Sequence, residues 1–120
     1  MLPATARLRR REEFTTTVRQ GTRASRGGVA LSLATFAPSV GSTPVGPRGP
    51  LVGFAVSKAV GGSVVRHRVA RRLRHLMRER LSRLPDGSRL VVRALPGAAH
   101  RASADLAGDL DAALNRILRR

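Results

Sequence analysis

The stretch that decides the fold runs from Phe54 to Arg83 and reads FAVSKAVGGSVVRHRVARRLRHLMRERLSR. It begins as an apolar strand, breaks at two adjacent glycines, and continues with apolar residues at every third or fourth position. That spacing predicts an amphipathic helix. The apolar stripe of this helix consists of Val65, Val69, Leu73, Leu76 and Met77. The opposite side is basic and carries Arg68, Arg71, Arg74 and Arg78, with His67 and His75 among them.

The charge of this predicted helix has one sign. Eight arginines lie between positions 66 and 83, whereas Glu79 is the only acid in that interval. A helix that merely faces solvent usually mixes signs, because like charges four residues apart repel each other. Guanidinium groups bind phosphate through two parallel N–H donors. The pattern therefore favours a face that binds a polyanion over a merely solvated basic face.

The composition of the whole chain points to the same partner. The 120 residues carry a formal net charge of +16, and a nucleic acid would relieve the self-repulsion of such a protein. The absence of cysteine excludes disulfides and thiolate metal sites. No apolar run is long enough to span a membrane, and the N-terminus lacks the apolar segment of a signal peptide. We therefore expect a cytoplasmic protein without a membrane partner.

The remaining elements follow from periodicity and from turn residues. Alternating and apolar runs predict strands, and amphipathic spacing predicts helices, in the order αββαβα. This order predicts an α+β fold in which a small mixed sheet packs with helices. The predicted elements are a helix over Glu12–Gln20, strands over Val29–Phe36, Leu51–Ser57 and Leu90–Leu95, and a helix over Ser103–Leu118. Arg23 and Arg26 are assigned to a loop.

Length predicts a single RNA-binding domain over residues 1–120. Residues 1–6 and 119–120 are expected to be flexible tails, and residues 37–50, rich in proline and glycine, to form a loop. The Leu-Val-Val run of the third predicted strand indicates a central parallel strand that is buried on both faces. The first two predicted strands each have one face of small side chains. If these strands are neighbours, they form a shallow floor, which either packs closely under a helix or binds an extended ligand.

Candidate catalytic residues are not evident. The seven acids are scattered rather than clustered as two-metal nucleases require, and the spacing of the three histidines matches no metal site. His67 and His75 are eight residues apart on one helix, which separates them by about 12 Å along its axis. The sequence therefore predicts no catalytic residue, no metal ligand and no cofactor on the protein. Only three aromatic residues are present, so recognition is expected to rest on phosphate and shape rather than on base stacking.

At this point the chain resembles a known family. The run from Val52 to Arg74 is similar to the signature of the bacterial ribonuclease P protein component. Two positions depart from the family pattern, because His67 stands in place of its Asn and Ala70 in place of its Lys. The matching positions are Ser57, Lys58, Gly61, Val64, Arg66, Arg68, Arg71 and Arg74. The opening of the chain also resembles the family at Arg7, Leu8, Glu13, Phe14, Val18 and Gly21, with Val18 in place of a second aromatic.

The resemblance implies a fold, partners and site residues. The fold would be a sandwich like that of a ribosomal protein, with a left-handed βαβ crossover, although the general rule predicts a right-handed one. The protein would be a non-catalytic subunit, and the RNA subunit would use Mg²⁺ to remove the 5′ leader of precursor tRNA. A monomer would bind the catalytic RNA in a 1:1 complex. The implied RNA-binding residues are Arg66, His67, Arg68, Arg71, Arg72, Arg74 and Lys58. The implied leader cleft consists of Phe14, Val18 and Lys58.

Two other classes of protein remain open on the residues alone. A basic ribosomal protein, or another protein that binds structured RNA, would carry a similar arginine face and play no role in cleavage. A protein-only nuclease would cut RNA without an RNA subunit, but no cluster of residues supports that class.

Overall fold

A computed structural model of the chain describes residues 17–19, 21–35, 50–85 and 87–119. The predicted helix over Glu12–Gln20 lies mostly outside these residues, and Thr17–Arg19, which are described, are helical. Phe14, the tail over residues 1–6 and most of the 37–50 loop also lie outside the described residues. The strands are β1 (Thr22–Arg26), β2 (Val29–Thr35), β3 (Leu51–Ala55) and β4 (Ser88–Ala94). Two long helices follow β3 and β4, namely the arginine helix (Ser63–Arg78) and the C-terminal helix (Ser103–Leu118). Two short 3₁₀ helices span Leu81–Arg83 and Pro96–His100.

The four strands form one mixed sheet in the order β1-β2-β4-β3. β2 pairs antiparallel with both β1 and β4, whereas β3 and β4 are parallel. Because parallel neighbours need a crossover, the arginine helix lies on the connection between β3 and β4. A mixed sheet that packs with helices confirms the predicted α+β class. β4 confirms the predicted central strand, since Leu90, Val91 and Val92 are all buried.

Two details of the predicted topology are wrong. Arg23 and Arg26, which were predicted to lie in a loop, belong to β1, which pairs with β2 in a hairpin that turns at Gly27. Only Ala24 of this strand is buried, so β1 has no apolar alternation that could reveal it. In addition, the first two predicted strands are not neighbours, because β4 lies between β2 and β3.

Both long helices cover one face of the sheet. The C-terminal helix packs on β1 and β2, and the arginine helix packs on β3. The predicted apolar stripe of the arginine helix is confirmed: Val69, Leu73 and Met77 are fully buried, and Val65 and Leu76 are partly buried. The core cluster that contains this stripe also includes Val52, Leu90, Val92, Leu106, Leu110, Leu114 and Ile117.

A buried carboxylate ties the β1–β2 turn to the C-terminal helix. Asp109 is only 5% exposed, and its Oδ2 accepts a hydrogen bond from the backbone N–H of Gly28 at 3.0 Å. Arg101 binds the same carboxylate with two donors, Nε to Oδ2 at 2.6 Å and Nη2 to Oδ1 at 3.0 Å. The turn itself needs a left-handed residue, which Gly27 provides with a φ of 55°. Asp109 therefore holds three parts of the fold together through satisfied polar groups.

Replacing Asp109 with alanine is expected to destabilise the fold by about 2–4 kcal/mol, because the Gly28 N–H and the Arg101 guanidinium lose their partner in a partly buried place. Chemical denaturation followed by circular dichroism measures this change. Asp105→Ala is the matched control, since Asp105 lies on the same helix but is exposed. An equal loss of stability in both variants would contradict the assigned role of Asp109.

Candidate nucleic-acid interface

The outward side of the arginine helix borders an open groove of about 720 Å³, which we call the helix groove. Among the described residues, its lining includes no carboxylate, and only Ser103, from the start of the C-terminal helix, comes from another element. His67, Arg68, Arg71 and His75 are exposed on this surface, whereas Arg72 and Arg74 are half-buried. The lining residues are His67, Arg68, Arg71, Arg72, Arg74, His75, Leu76 and Ser103. The fold therefore brings together five of the residues predicted to bind RNA.

The eight arginines between positions 66 and 83 fall into two groups. Arg80 and Arg83 turn towards the C-terminal helix and pair with Asp111, Arg80 through Nε and Oδ1 at 2.7 Å. Arg80 also donates from Nη1 to the carbonyl oxygen of Leu76 at 2.8 Å, at the end of the arginine helix. Arg83 donates to the side-chain oxygen of Asn115 as well. These two arginines therefore stabilise the fold.

The Arg80–Asp111 pair also has an electrostatic signature. The hydrogen bond from Arg80 lowers the pKa of the Asp111 carboxyl, against the opposite effect of burial, and the positive charges of Arg80 and Arg83 lower it further. The same hydrogen bond raises the pKa of Arg80. A carboxyl with a lowered pKa stabilises the fold above its ordinary pKa, and this contribution is lost as the pH falls through the lowered value. The pair is therefore intact at neutral pH.

The second group of arginines has no acidic partner in the described part of the chain. Among the described residues, no ion pair reaches the other six arginines, and Glu79 makes none. Arg72 donates from Nη1 to the carbonyl oxygen of Arg101 at 3.4 Å, which directs it partly towards the 3₁₀ helix before the C-terminal helix. The Nε of Arg66 is buried and has no hydrogen-bond partner among the described residues. The unpaired arginines are Arg66, Arg68, Arg71, Arg72, Arg74 and Arg78.

A second basic surface includes the sheet face opposite the two long helices, together with Arg19 and Arg116. Paired positions in neighbouring strands point to the same face, so the register places Ala30 and Ser32 of β2 beside Arg93 and Val91 of β4. The small side chains of this face lie in a groove of about 680 Å³, which we call the sheet groove. Because β4 lies between β2 and β3, this surface differs from the predicted floor of two neighbouring strands. The basic residues that line the sheet groove are Arg19, Arg23, Arg93 and Arg116.

The sequence analysis did not identify these four arginines as site residues. Arg93 could have been found from its position two residues after Val91, because alternation along a strand puts both on one face. Arg116 could not, since only the docking of the C-terminal helix brings it to the groove. Arg23 belongs to the missed strand β1, and it donates from Nε at 3.1 Å and from Nη2 at 2.6 Å to the carbonyl oxygen of Val18. That contact joins the helical residues to the sheet.

The residues predicted for the leader cleft are brought together only in part. Val18 is half-buried and lines the sheet groove. Lys58 is exposed in the turn that follows β3 and is not one of the residues that line the groove. Phe14 lies outside the described residues. Ala70, at the position of the family's lysine, is 9% exposed and belongs to the buried side of the arginine helix.

Nowhere in residues 17–19, 21–35, 50–85 and 87–119 do three or more His, Cys, Asp or Glu side chains gather as a metal site would require. None of the helices in the same part of the chain has the length and apolarity needed to cross a membrane.

Comparisons with known proteins identify the family. The family model described as Ribonuclease P matches residues 2–118 of this chain. The ribonuclease P protein component of Streptomyces griseus is 57% identical over 120 residues, which cover 98% of this chain and 96% of that protein. The ribonuclease P protein component of Thermobifida fusca is 55% identical, with 99% of this chain and 80% of that protein covered.

Solved structures show the same fold at low sequence identity. The RNase P protein of Staphylococcus aureus has a TM-score of 0.76 and 16% identity, and the match covers 92% of this chain and 93% of that one. The RNase P protein of Thermotoga maritima has a TM-score of 0.72 and 18% identity, with 95% and 96% covered. The family model and the identity to curated relatives decide membership: this chain belongs to the family of ribonuclease P protein components.

Proposed function

We propose that this chain is the protein subunit of ribonuclease P, a ribonucleoprotein that removes the 5′ leader from precursor tRNA. The protein binds the catalytic RNA through the arginine helix and binds the single-stranded leader in the sheet groove. The chemistry belongs to the RNA subunit with its Mg²⁺, and the protein contributes no catalytic residue. It acts in the cytoplasm as a monomer in a 1:1 complex with the RNA.

The observation that carries this proposal is the division of the arginines. Where an arginine supports the fold, as Arg80 and Arg101 do, an aspartate of the C-terminal helix lies against it. The exposed arginines Arg68, Arg71 and Arg78 have no such partner in the described structure. Uncompensated repulsion along one helix lowers stability unless a polyanion neutralises it. A folded RNA supplies closely spaced phosphates for this purpose.

The placement of the two grooves supports a role in joining two RNA segments. The two grooves share no lining residue, so the two basic surfaces do not compete for one ligand. The floor of the sheet groove contains Ala30, Ser32 and Ala55, which leave room for an extended strand. Arg93 is exposed beside this floor and can contact a phosphate of the strand.

A cleavage assay tests the proposal. The purified full-length chain is mixed with a bacterial ribonuclease P RNA and precursor tRNA at low Mg²⁺, where the RNA alone is slow. We expect faster removal of the 5′ leader, because arginines neutralise phosphate and help the two RNAs approach. RNA binding without faster cleavage would indicate a ribosomal-type binding protein and contradict the proposal. Cleavage without the added RNA would indicate a protein-only nuclease and contradict it as well.

The same assay separates the two grooves when the leader length is varied. Arg93→Ala is expected to reduce the stimulation of cleavage by the protein when the precursor has a long leader. The stimulation of cleavage should be unchanged when the leader is very short. A loss for both precursors would mean that Arg93 does not act through the leader. Arg89→Ala is not a suitable control, because Arg89 interacts within the protein.

A further inference from the structure

We propose that the helix groove takes up protons when it binds RNA, and that His67 and His75 are phosphate ligands in their imidazolium form. RNA affinity should therefore rise as the pH falls from 8 to 6. The inference rests on the proposed docking of RNA on the arginine helix and goes beyond it, because it assigns a protonation state and a pH response to the complex.

The geometry places both histidines where a phosphate would bind. His67, Arg71 and His75 are spaced four residues apart, so they form one column along the exposed side of the arginine helix. Both imidazoles line the helix groove together with Arg68 and Arg74. A phosphate that binds Arg71 in this column therefore has an imidazole one turn away on either side.

The protein itself offers little negative charge to either imidazole. Neither histidine makes an ion pair within the described residues. Glu79, four residues after His75, is exposed and is the acid that follows on the same helix. The titratable and charged groups on the elements that pack against this helix are His100 of the 3₁₀ helix, and Asp105, Asp109, Asp111 and Arg116 of the C-terminal helix. Arg101 lies between these two elements, and β3 has no such group.

The acids in that set are occupied or remote from the groove. Asp109 is bound by Arg101, and Asp111 is bound by Arg80 and Arg83. Asp105 is exposed and is not one of the groove-lining residues. Apart from Glu79, which follows His75 by four residues, an RNA phosphate is therefore the main negative charge that can come close to the two imidazoles. Binding of that phosphate favours the charged imidazolium form.

Histidine is the side-chain type whose charge changes near neutral pH. Arginine stays protonated throughout that range, whereas an ordinary imidazole titrates near pH 6.5. If a phosphate favours the imidazolium form about tenfold, linkage raises the RNA affinity about five- to sixfold per histidine between pH 8 and pH 6. The gain is present at low pH and is lost as the pH rises, because protonation is stronger in the complex than in the free protein.

The test measures the Kd of the full-length chain for a bacterial ribonuclease P RNA at pH 6, 7 and 8, with salt and Mg²⁺ constant. The wild-type affinity should rise about 30-fold from pH 8 to pH 6. In the His67→Gln and His75→Gln variants, this rise should be about fivefold smaller. The double variant should show nearly no pH dependence. His100→Gln is the matched control, because His100 is exposed outside the groove, and it should behave like the wild type.

Calorimetry provides a second readout at pH 7. Titrations in two buffers of different ionisation enthalpy should show that the wild-type complex takes up about one proton in total and that the double variant takes up none. The same pH dependence in the double variant and the wild type would overturn the inference while leaving the proposed function intact. An absence of RNA binding at every pH would overturn both.

Discussion

Replacing Val69 with aspartate is expected to unfold the protein. Val69 is fully buried on the side of the arginine helix that packs on the sheet, and its neighbours in the core are apolar. A buried carboxylate without a partner costs several kcal/mol, and a domain of this size has about 5–15 kcal/mol of stability in total. Thermal unfolding followed by circular dichroism should show no cooperative transition, or one far below that of the wild type.

Val64→Asp is the matched control for this experiment. Val64 lies on the same helix and is 78% exposed, so the same change of residue buries no charge. An acid in the first turn of a helix also interacts favourably with the helix dipole. We therefore expect the thermal midpoint of this variant to stay within a few degrees of the wild type. If Val69→Asp melted like Val64→Asp, the arginine helix could not be packed as the structure shows.

The largest functional effect is expected from removing three arginines of the helix groove together. Each phosphate contact changes the slope of log K against log salt by about 0.7–0.9, which corresponds to roughly fivefold in affinity at 0.15 M salt. The triple variant Arg68→Ala, Arg71→Ala and Arg74→Ala should therefore bind ribonuclease P RNA about 100-fold more weakly and with a shallower salt dependence. Filter binding or fluorescence anisotropy over a series of salt concentrations measures both quantities.

The stability of this triple variant distinguishes binding from folding roles. None of the three arginines has an ion-pair partner among the described residues, so the thermal midpoint should change little. Arg80→Ala is the matched control, since it removes an arginine of the same segment that binds Asp111. That variant should lose about 2 kcal/mol of stability and keep the salt dependence of RNA binding. If the triple variant lost stability and Arg80→Ala changed the salt dependence instead, the roles assigned to the two groups of arginines would be wrong.

The core of the arginine helix could be predicted because its signal is local. Apolar residues at helical spacing must share a face, and Val69, Leu73 and Met77 are buried as that spacing requires. The central strand could be predicted for a similar reason. An uninterrupted Leu90-Val91-Val92 run has no polar face to show to solvent, so both faces must be covered.

Strand β1 could not be predicted, because its sequence lacks the alternation of apolar and polar residues that indicates a strand. Four of its five side chains are polar, and the strand exists because the turn at Gly27 returns the chain alongside β2. Its only buried side chain, Ala24, contributes little apolar area. The order of the strands could not be predicted from the sequence either, because the pairing of β4 with both β2 and β3 depends on contacts between distant parts of the chain.

Periodicity and net charge are properties of the chain before it folds, and they were sufficient to predict the α+β class, the buried stripe of the arginine helix and the excess of positive charge. Which arginines have an acidic partner depends instead on contacts between distant parts of the chain. Arg80 and Arg71 are the same residue type nine positions apart, but docking of the C-terminal helix brings Asp111 to Arg80, whereas no described acid pairs with Arg71. Tertiary structure likewise placed Arg93 and Arg116 at the sheet groove, because the residues that line it come from separate strands and a helix.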